Sequence, residues 1–502
     1  MSRVYSVVSG VFLVTAILLS GYALITRLDG PVIDAFGFRQ TQTAISAFYI
    51  MHGGPILSYE TPVLGAPWSL PFEFPTYQVI VAAIAAWTGH LDAVGRLVSY
   101  TFFLGCFYPI SRLYRFYSMP PGAMAATGVL ILASPLYVLY SRAFMIETAA
   151  LFFSLMWLWL FCDVICSRHL WTGFACLLFG ALAILTKSTT FPPVVVGGFV
   201  FLLAALAQEV RGRAFRSAGT MILTAGLVTL PAIAAGYLWV VWTDVLKEQN
   251  IFAHQLTSAF LWNWNFGYPG LRTSAKFWYT IRDRMSHDVF GHSELVAVAL
   301  WVFAIVSERT RLVALASLSV VLSGLLFFPN LHTIHNYYQT ALAMFAIVPC
   351  ALGVAALVGD KLNSAAAVAL AVVAVCQLYA SWFVVRETIE GEPLEINGYR
   401  VARAAAETLP PGSGLLVFGT DWSSEVPYYA ERRTFAVPGW AEDAQIAEVV
   451  ADPSKVLGGL PLGGIIVCKY GVSAKLIDPG LKMAEGMNLK ASSGPCSLYT
   501  PR

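Results

Sequence analysis

The sequence contains little charge. Only 12% of its 502 residues are Asp, Glu, Lys or Arg, and 57% are hydrophobic, whereas soluble domains carry about 25% charged residues. The formal net charge of +2 gives no surplus of Lys and Arg of the kind that binds nucleic acid. The composition therefore excludes an ordinary soluble protein, predicts an integral membrane protein that contacts the lipid bilayer, and predicts no nucleic-acid partner.

The sequence also lacks the residue spacing of a zinc site. Its eight cysteines are irregularly spaced and most lie in apolar stretches, where Cys behaves as a small hydrophobic residue. Cys162 and Cys166 are one helical turn apart, but no His or second Cys pair accompanies them, as a structural zinc site requires. No cofactor is predicted, and a divalent metal is left open. Cys468 and Cys496, near the C-terminus, can form a disulfide in an oxidising compartment.

Long uncharged runs dominate the rest of the chain. The first, from Val4 to Thr26, is long enough to cross a bilayer and is followed by no small-residue cleavage site, so it is predicted to be a retained first helix. With it, about eleven charge-poor stretches are candidate transmembrane helices. They are residues 4–26, 97–111, 116–141, 148–166, 170–186, 188–208, 217–243, 295–307, 312–331, 337–359 and 362–385.

Arginine and lysine collect in every second loop between these stretches. Cytoplasmic loops are enriched in these residues, so the alternation predicts a cytoplasmic N-terminus; the resemblance described below implies that the membrane is a bacterial inner membrane. The long loops 27–96 and 243–293, and the tail from 386, then lie on the extracytoplasmic side. The apolar run 77–90 would break the alternation as a full span and is predicted to be a re-entrant or juxtamembrane helix.

The last part of the chain has a different pattern. Short β-type runs at 414–418 and 464–468 alternate with helix-type stretches at 398–408 and 441–451, which is typical of a small α/β domain. The prediction is a membrane domain at 1–385, carrying the two long outer loops, followed by a periplasmic α/β domain at 386–502.

Ionisable side chains are costly in the bilayer centre, and here they gather at the predicted outer ends of helices. The first long loop contains Asp34 ahead of Arg39, Gln40 and Gln42. A carboxylate in this position can act as the general base for a hydroxyl acceptor, or the segment is an ordinary interfacial loop. Glu73 lies between two prolines in a rigid, non-helical backbone and is predicted either to bind a ligand or to pair with a neighbouring Arg.

Two short outer links carry further charges. Arg142 and Glu147 flank the start of the fourth span, either as a structural ion pair or as groups that steer a donor. Lys187 ends the fifth span. Its ammonium group is a point charge that suits a phosphate, although a lysine at this position can also simply extend towards the interface.

Cations and aromatic rings occur together in the last two outer segments. Arg272 and Lys276 lie among Trp and Tyr residues in the loop 243–293, a combination that suits a phosphate and a sugar ring. The next outer link has the sequence LHTIHNYY, and its candidate ligands are His332, His335, Tyr337 and Tyr338. Two histidines without a nearby Cys or carboxylate are a weak metal signal, so hydrogen bonding to phosphate or sugar is favoured.

Taken together, these features resemble the GT-C glycosyltransferase superfamily, in the branch similar to protein O-mannosyltransferases and the lipid A aminoarabinose transferase. The resemblance covers nearly the whole chain, and each of its motifs is short. The matching features are the long acidic first loop, Glu147 at the start of the fourth span, Thr186–Lys187 at the end of the fifth, the His335–Tyr338 motif, and the tail run DWSSEVPYYAERR from Asp421 to Arg433.

The resemblance implies a polytopic α-helical GT-C-like fold and an inverting hexosyl- or pentosyltransferase. It implies that a sugar moves from a polyprenyl (undecaprenyl) phosphate to an extracytoplasmic lipid A, O-antigen, cell-wall glycan or protein. The family has an Asp-Glu pair in the first loop, whereas Phe38 and Arg39 occupy that place here. The base is then Asp34, or Glu73 or Glu147 takes the role. The phosphate would meet Arg39, Arg142, Lys187 and the His335–Tyr338 group.

Two other functions compete with this one. An oligosaccharyltransferase or O-antigen ligase would move a preassembled glycan from a lipid carrier. A lipid-linked sugar transporter would show inverted repeats and ionisable groups at the membrane midplane, and the two halves of this sequence do not match each other.

Overall fold

The computed structural model describes residues 3–393, 395–470 and 473–502. Up to Val384 the described residues form eighteen α-helices. They are α1 Arg3–Ile25, α2 Gly37–Met51, α3 Thr76–Thr88, α4 Leu91–Gly105, α5 Phe107–Phe116, α6 Ala123–Ala133, α7 Pro135–Tyr140, α8 Glu147–Ser167, α9 Leu170–Thr186, α10 Phe191–Arg211, α11 Phe215–Lys247, α12 Trp262–Phe266, α13 Ala275–Arg284, α14 Glu294–Val306, α15 Arg311–Phe327, α16 Pro329–Ile334, α17 Thr340–Gly359 and α18 Asn363–Val384.

The remainder of the described chain mixes short helices with one β-sheet. Its elements are α19 Ile396–Thr408, β1 Gly414–Phe418, α20 Glu425–Ala430, β2 Thr434–Ala436, α21 Asp443–Ala451, α22 Ser454–Leu457, β3 Leu462–Cys468, α23 Asp478–Ala484, β4 Asn488–Ser493 and β5 Cys496–Thr500. This confirms the predicted polytopic α-helical fold with a small C-terminal α/β region.

Each of the eleven stretches predicted to span the membrane is helical. By length and composition, seven helices among the described residues can cross a bilayer, or eight if the bent pair Ala275–Val289 and Glu294–Val306 forms one span. The shorter apolar helices α6, α9 and α15 account for the other predicted stretches. The run 77–90 is the 13-residue α3, which is about 20 Å long and too short for a core of about 30 Å. The chain is a multi-pass membrane protein.

The structure divides into two compact units, which do not coincide with the predicted boundary at residue 386. The helical unit comprises Met1–Leu28, Arg96–Trp239 and Trp262–Glu390. The sheet unit comprises Asp29–Gly95, Val240–Leu261 and Gly391–Arg502. The loop that follows the first helix therefore groups with the C-terminal region, which sequence patterning could not show.

Glycine allows close helix packing inside the helical unit. A methyl group on Gly353 of α17 would lie 2.1 Å from the Leu300 carbonyl oxygen of α14. Trp157 of α8 is fully buried, and a methyl on Gly180 or Gly198 would come within 2.7 or 2.9 Å of its ring. Small residues at such crossings let helices approach closely where lipid provides no hydrophobic driving force.

The sheet unit is built around five strands in the order β2-β1-β3-β5-β4. Strand β1 pairs in parallel with β2 and β3, and β5 pairs antiparallel with β3 and β4. Burial on both faces explains the continuous apolar sequence of β1. The disulfide that the sequence allowed between Cys468 and Cys496 is present and links the neighbouring strands β3 and β5.

The first long loop extends this sheet at the free edge of β2. The backbone of Gly65 donates to Thr434, and Ala436 donates to Val63, at 3.2 and 2.8 Å, with Leu64 opposite Phe435 in an antiparallel bridge. The Asn250 amide then holds the loop by donating to three of its carbonyl oxygens, those of Leu64, Gly65 and Pro67. An unpaired strand edge is thus covered, and the loop is fixed in place.

Candidate active site

A buried ion pair lies at the centre of the candidate site in the helical unit. Glu147 is the first residue of α8, and Lys187 directly follows α9 in an extended backbone conformation that ends the helix. The Lys187 ammonium pairs with the Glu147 carboxylate, and the two side chains are only 6% and 5% exposed. Burial of this kind holds both groups in one geometry, because breaking the pair would leave a bare charge in a medium of low dielectric constant.

Aromatic rings surround the ammonium group of this pair. Lys187 Nζ lies 4.5 Å from the ring centre of Tyr338 and 5.3 Å from that of Tyr337, distances at which cation–π attraction operates. Both tyrosines belong to the 3₁₀ turn Asn336–Gln339 that leads into α17. The His335 ring stacks on Tyr337 with centroids 5.3 Å apart. The late aromatic motif of the sequence is thus placed against the lysine of another span.

His332 adds a polar atom to the same cluster. Its ring lies 6.2 Å from that of Tyr338, the residue is 4% exposed, and its Nδ1 atom has no hydrogen-bond partner among the described residues. Burial, followed by the positive charges of Lys187 and Arg284, lowers the pKa of His332 to about 3. The imidazole is therefore neutral at physiological pH and can offer one donor and one acceptor.

The backbone that carries these groups is fixed from α13. The Arg284 guanidinium donates to the carbonyl oxygens of His332 and Thr333 at 2.6 and 2.7 Å, which satisfies the last carbonyls of α16. The Asn336 amide donates to Asp288 and accepts from the Tyr140 hydroxyl. These hydrogen bonds to the backbone and to Asn336 fix the positions of the neighbouring His and Tyr rings.

Other predicted ligands of the helical unit are placed differently. Arg142 is 1% exposed, in the link between α7 and α8. The guanidinium of Arg272 donates to the backbone carbonyls of Leu326, Phe266 and Phe327, so it caps the end of α15. Lys276 is exposed. The structure therefore brings Glu147, Lys187 and the aromatic motif together, and gives Arg272 a structural role.

The predicted carboxylates of the first loop lie in the sheet unit. Arg39 pairs with Glu73 and also donates to the Gln42 amide oxygen. This is the arginine pairing predicted as one alternative for Glu73. Asp34 is 9% exposed, and its Oδ1 accepts from the Gln40 amide at 3.2 Å. Four of these five residues are on α2 or just before it, and Glu73 is brought to them by the loop.

The C-terminal run supplies a carboxyl group that sequence reasoning did not single out. Glu425 opens α20, and a methyl on Gly37 at the start of α2 would lie 2.8 Å from its Oε1. Burial, and then the charge of Glu395, raise the pKa of Glu425 to about 8, against a smaller lowering by the Ser423 hydroxyl. Its only sequence signal was membership of the DWSSEV run, which does not show burial.

A second carboxylate organises the same unit through tyrosines. Asp92 accepts from the hydroxyls of both Tyr428 and Tyr429, and Tyr429 in turn accepts from the Val32 amide at 2.6 Å. Burial, and then the charge of Asp92, raise the pKa of both tyrosines well above its usual value. The YY pair of the tail motif therefore anchors the start of the first loop.

Among the described residues, no group of three His, Cys, Asp or Glu side chains is arranged to hold a metal ion. The helical unit offers a buried ammonium, a neutral imidazole and tyrosine hydroxyls, and the sheet unit offers carboxylates. A cation of this kind stabilises a phosphate leaving group, and a carboxylate accepts a proton.

Comparison with known proteins finds similarity in structure alone. No protein-family model matches the sequence, and no curated protein matches it either. ArnT from Cupriavidus metallidurans, in a crystal structure bound to undecaprenyl phosphate, shares 14% sequence identity with this chain. The two structures align with a TM-score of 0.65 over 97% of each chain. The archaeal oligosaccharyltransferase AglB from Archaeoglobus fulgidus, in complex with an inhibitory peptide and a dolichol-phosphate, is 12% identical with a TM-score of 0.55.

The alignment with AglB covers 97% of this chain and 73% of that protein. The arabinofuranosyltransferase AftD from Mycobacteria is 13% identical with a TM-score of 0.53, over 100% of this chain and 40% of its own. At these identities the similarity establishes the fold. The resemblance to GT-C glycosyltransferases that the sequence indicated is thus confirmed as a shared fold.

Proposed function

We propose that this chain is an integral-membrane glycosyltransferase that moves a sugar from a polyprenyl phosphate to an extracytoplasmic acceptor at the bacterial inner membrane. The observation that carries the proposal is the Lys187 ammonium group, held by buried Glu147 against the rings of Tyr337 and Tyr338. The shared fold supports it, since one protein with that fold is a transferase bound to undecaprenyl phosphate.

The helical unit binds the phosphate of the donor in this proposal. Lys187 provides the positive charge, and the neutral His332, whose Nδ1 has no partner among the described residues, provides a hydrogen-bonding atom. Groups already fixed around the position where charge develops stabilise the transition state without reorganisation. A polyprenyl phosphate leaving group gains negative charge as its bond to the sugar breaks, and Lys187 is positioned by Glu147 to compensate for it.

A carboxylate of the first long loop acts as the base in this proposal. The acceptor hydroxyl forms a bond to the anomeric carbon, the bond from that carbon to the phosphate oxygen breaks with inversion, and the hydroxyl proton passes to a carboxylate. We assign this step to Asp34, which lies just ahead of α2 and accepts from the Gln40 amide, with Glu73, paired with Arg39, as the alternative base. Glu147 is occupied by Lys187 and acts as the positioning residue for that cation.

The test is sugar transfer by the full chain in detergent, with a panel of radiolabelled undecaprenyl-phosphate sugars. We expect one donor to be consumed by wild-type protein, and transfer to be lost in Asp34→Asn and in Lys187→Ala. Full activity in both Asp34→Asn and Glu73→Gln would contradict the assignment of the base.

The runner-up is an oligosaccharyltransferase or O-antigen ligase, which the fold shared with AglB favours. That enzyme would use a preassembled glycan on a lipid pyrophosphate. Binding of such a glycan, with no consumption of any monosaccharide donor, would replace the first proposal with this one.

A further inference from the structure

An aromatic cluster in the sheet unit has no part in the chemistry described so far. It consists of Phe38, Phe72, Trp422 and Trp440, and Trp422 lies at its centre. The Trp422 ring is 4.9 Å from Phe38, 6.0 Å from Phe72 and 5.8 Å from Trp440, measured between ring centres. Both tryptophans are partly exposed, so part of each side chain remains accessible to a ligand.

We propose that this aromatic cluster is a saccharide-binding subsite, and that the acceptor of the proposed transferase is therefore a glycan. The identification of the glycan as the acceptor rests on the proposed function, whereas sugar binding at the cluster can be tested independently of it.

The position of the cluster in the fold is that of a ligand site. Trp422 lies in the loop after β1, and Trp440 lies in the loop after β2, at the carboxyl ends of two adjacent parallel strands. In open α/β sheets, ligands bind outside the carboxyl ends of the strands. Loops on this edge are free to carry recognition residues, since the strands below them provide the rigid scaffold.

The two tryptophan loops are joined by a strained residue. Asp421, next to Trp422, has φ of +53°, in the left-handed region that non-glycine residues rarely adopt. Its carboxylate accepts from the Gly439 amide, next to Trp440, at 2.6 Å. The Trp440 indole N–H donates to the Phe252 carbonyl at 3.0 Å. Strained backbone that the surroundings maintain is concentrated at binding and catalytic sites.

One charged group lies beside the cluster, and two further polar residues follow Trp422 closely in the chain. Ser424 is fully buried, two residues after Trp422, and its hydroxyl has no hydrogen-bond partner among the described residues. The Lys247 ammonium lies 5.2 Å from the centre of the Phe72 ring. Glu425 follows directly in sequence, and burial raises its pKa to about 8. Small-molecule sites usually combine aromatic rings with a small number of polar groups.

This combination fits a sugar ring better than a peptide. The C–H face of a pyranose packs on an indole face, while its hydroxyls donate and accept hydrogen bonds at the rim. A sugar therefore uses both the ring faces and the polar groups of the cluster. A peptide commonly binds by adding a strand to a sheet edge, where it finds main-chain partners. The β2 edge is already covered by residues of the first loop.

The experiment is saturation-transfer NMR on the full chain in detergent, with tetrasaccharides of glucose, mannose, galactose and N-acetylglucosamine as probes and Ser/Thr-containing octapeptides as the comparison. We expect transfer to the ring C–H protons of at least one oligosaccharide. Trp422→Ala should weaken oligosaccharide binding about tenfold. Trp422→Phe keeps a ring face and should weaken it distinctly less. Trp87→Ala is the matched control, because Trp87 is in the same unit and 93% exposed.

Three outcomes would overturn the inference: no oligosaccharide binds, a peptide binds and the sugars do not, or Trp422→Ala leaves sugar binding unchanged. If Trp422→Ala does not fold, Trp422→Phe and Trp440→Phe carry the test. The transfer assay separates the two proposals. With donor present, Trp422→Ala should still release polyprenyl phosphate slowly to water while acceptor-dependent transfer falls. Wild-type protein that consumes no donor but binds sugar through Trp422 would refute the proposed function alone.

Discussion

The two units of the molecule differ in how deeply they bury the ion pairs described above. In the helical unit, Lys187 and Glu147 are 6% and 5% exposed and share their surroundings with aromatic rings. In the sheet unit, Arg39 and Glu73 are 13% and 22% exposed and are joined by amide side chains. A deeply buried pair is intolerant of change, because removing one partner leaves an uncompensated charge, whereas a more exposed pair gains less from its partner. We therefore expect substitutions at the first pair to have the larger effects.

The largest effect is expected from Lys187→Ala. The substitution removes the cation proposed for the leaving phosphate and leaves Glu147 as an uncompensated buried carboxylate. We expect transfer to fall at least about 1,000-fold, and the free energy of unfolding to fall by about 3–5 kcal/mol. Transfer assays and thermal unfolding in detergent measure the two effects.

The double variant Lys187→Met/Glu147→Gln separates these two contributions. It removes both charges at similar volume, so stability should return to near the wild-type value while transfer stays lost. Recovery of transfer along with stability would show that the pair is only structural, and would remove the difference between the units.

The next largest effect is expected in the sheet unit. Asp34→Asn should lower the rate constant for transfer by about 100- to 1,000-fold, in the lower part of the range usual for a general base, without a comparable loss of stability. Glu73→Gln should cost less, since its carboxylate is paired with Arg39. A larger loss in Glu73→Gln than in Asp34→Asn would exchange the two roles.

Removal of the disulfide should affect the sheet unit alone. Cys468 and Cys496 are 28 residues apart in sequence, and replacing both with Ala should lower the stability of this unit by about 2–4 kcal/mol. The measurement is limited proteolysis with and without reductant. Cleavage that appears first within residues 96–239 would contradict the expectation that the effect is confined to the sheet unit.

The smallest effect concerns pH. Burial raises the pKa of Glu425 from its ordinary 4.5 to about 8, so the folded state disfavours the charged carboxylate. Stability contributed by the neutral form is full below about pH 4.5 and is lost as the pH rises towards about 8. Glu425→Gln should abolish this slope and be more stable than wild type at pH 9, by about 1–2 kcal/mol after allowance for partial exposure. Unfolding curves from pH 5 to pH 9 would show it, and parallel curves for both proteins would contradict it.

Sequence patterning predicted the elements well because hydrophobic periodicity is a local property. The eleven apolar stretches, the short α3 and the alternating β and α tail all follow from residues close together in the chain. The pairing of Lys187 with Glu147 and the aromatic motif was not predictable as geometry, since it joins separate helices, although each residue was selected from its position at a helix end.

The same limit explains what was missed. Nothing near Leu64 indicates that it lies opposite Phe435, and nothing near Glu425 indicates its contact with the start of α2. Both depend on the loop being folded back onto the tail. The sequence predicted Arg272 as a ligand for a phosphate or sugar, and its place at the end of α15 could not be seen there, because a free guanidinium and one that caps a helix have the same local pattern.

The pairing of the first loop with β2 also has a consequence for biosynthesis. Arg433 and Glu60, which form an ion pair beside that pairing, are 373 residues apart, so the ribosome needs roughly 20 to 75 s between making one partner and the other. During this time the loop that carries Asp34 has been synthesised, but the edge strand β2 with which it pairs has not. A chain terminated shortly before Thr434 would still contain every apolar helix, and would insert, but would lack the strand that organises its own first loop.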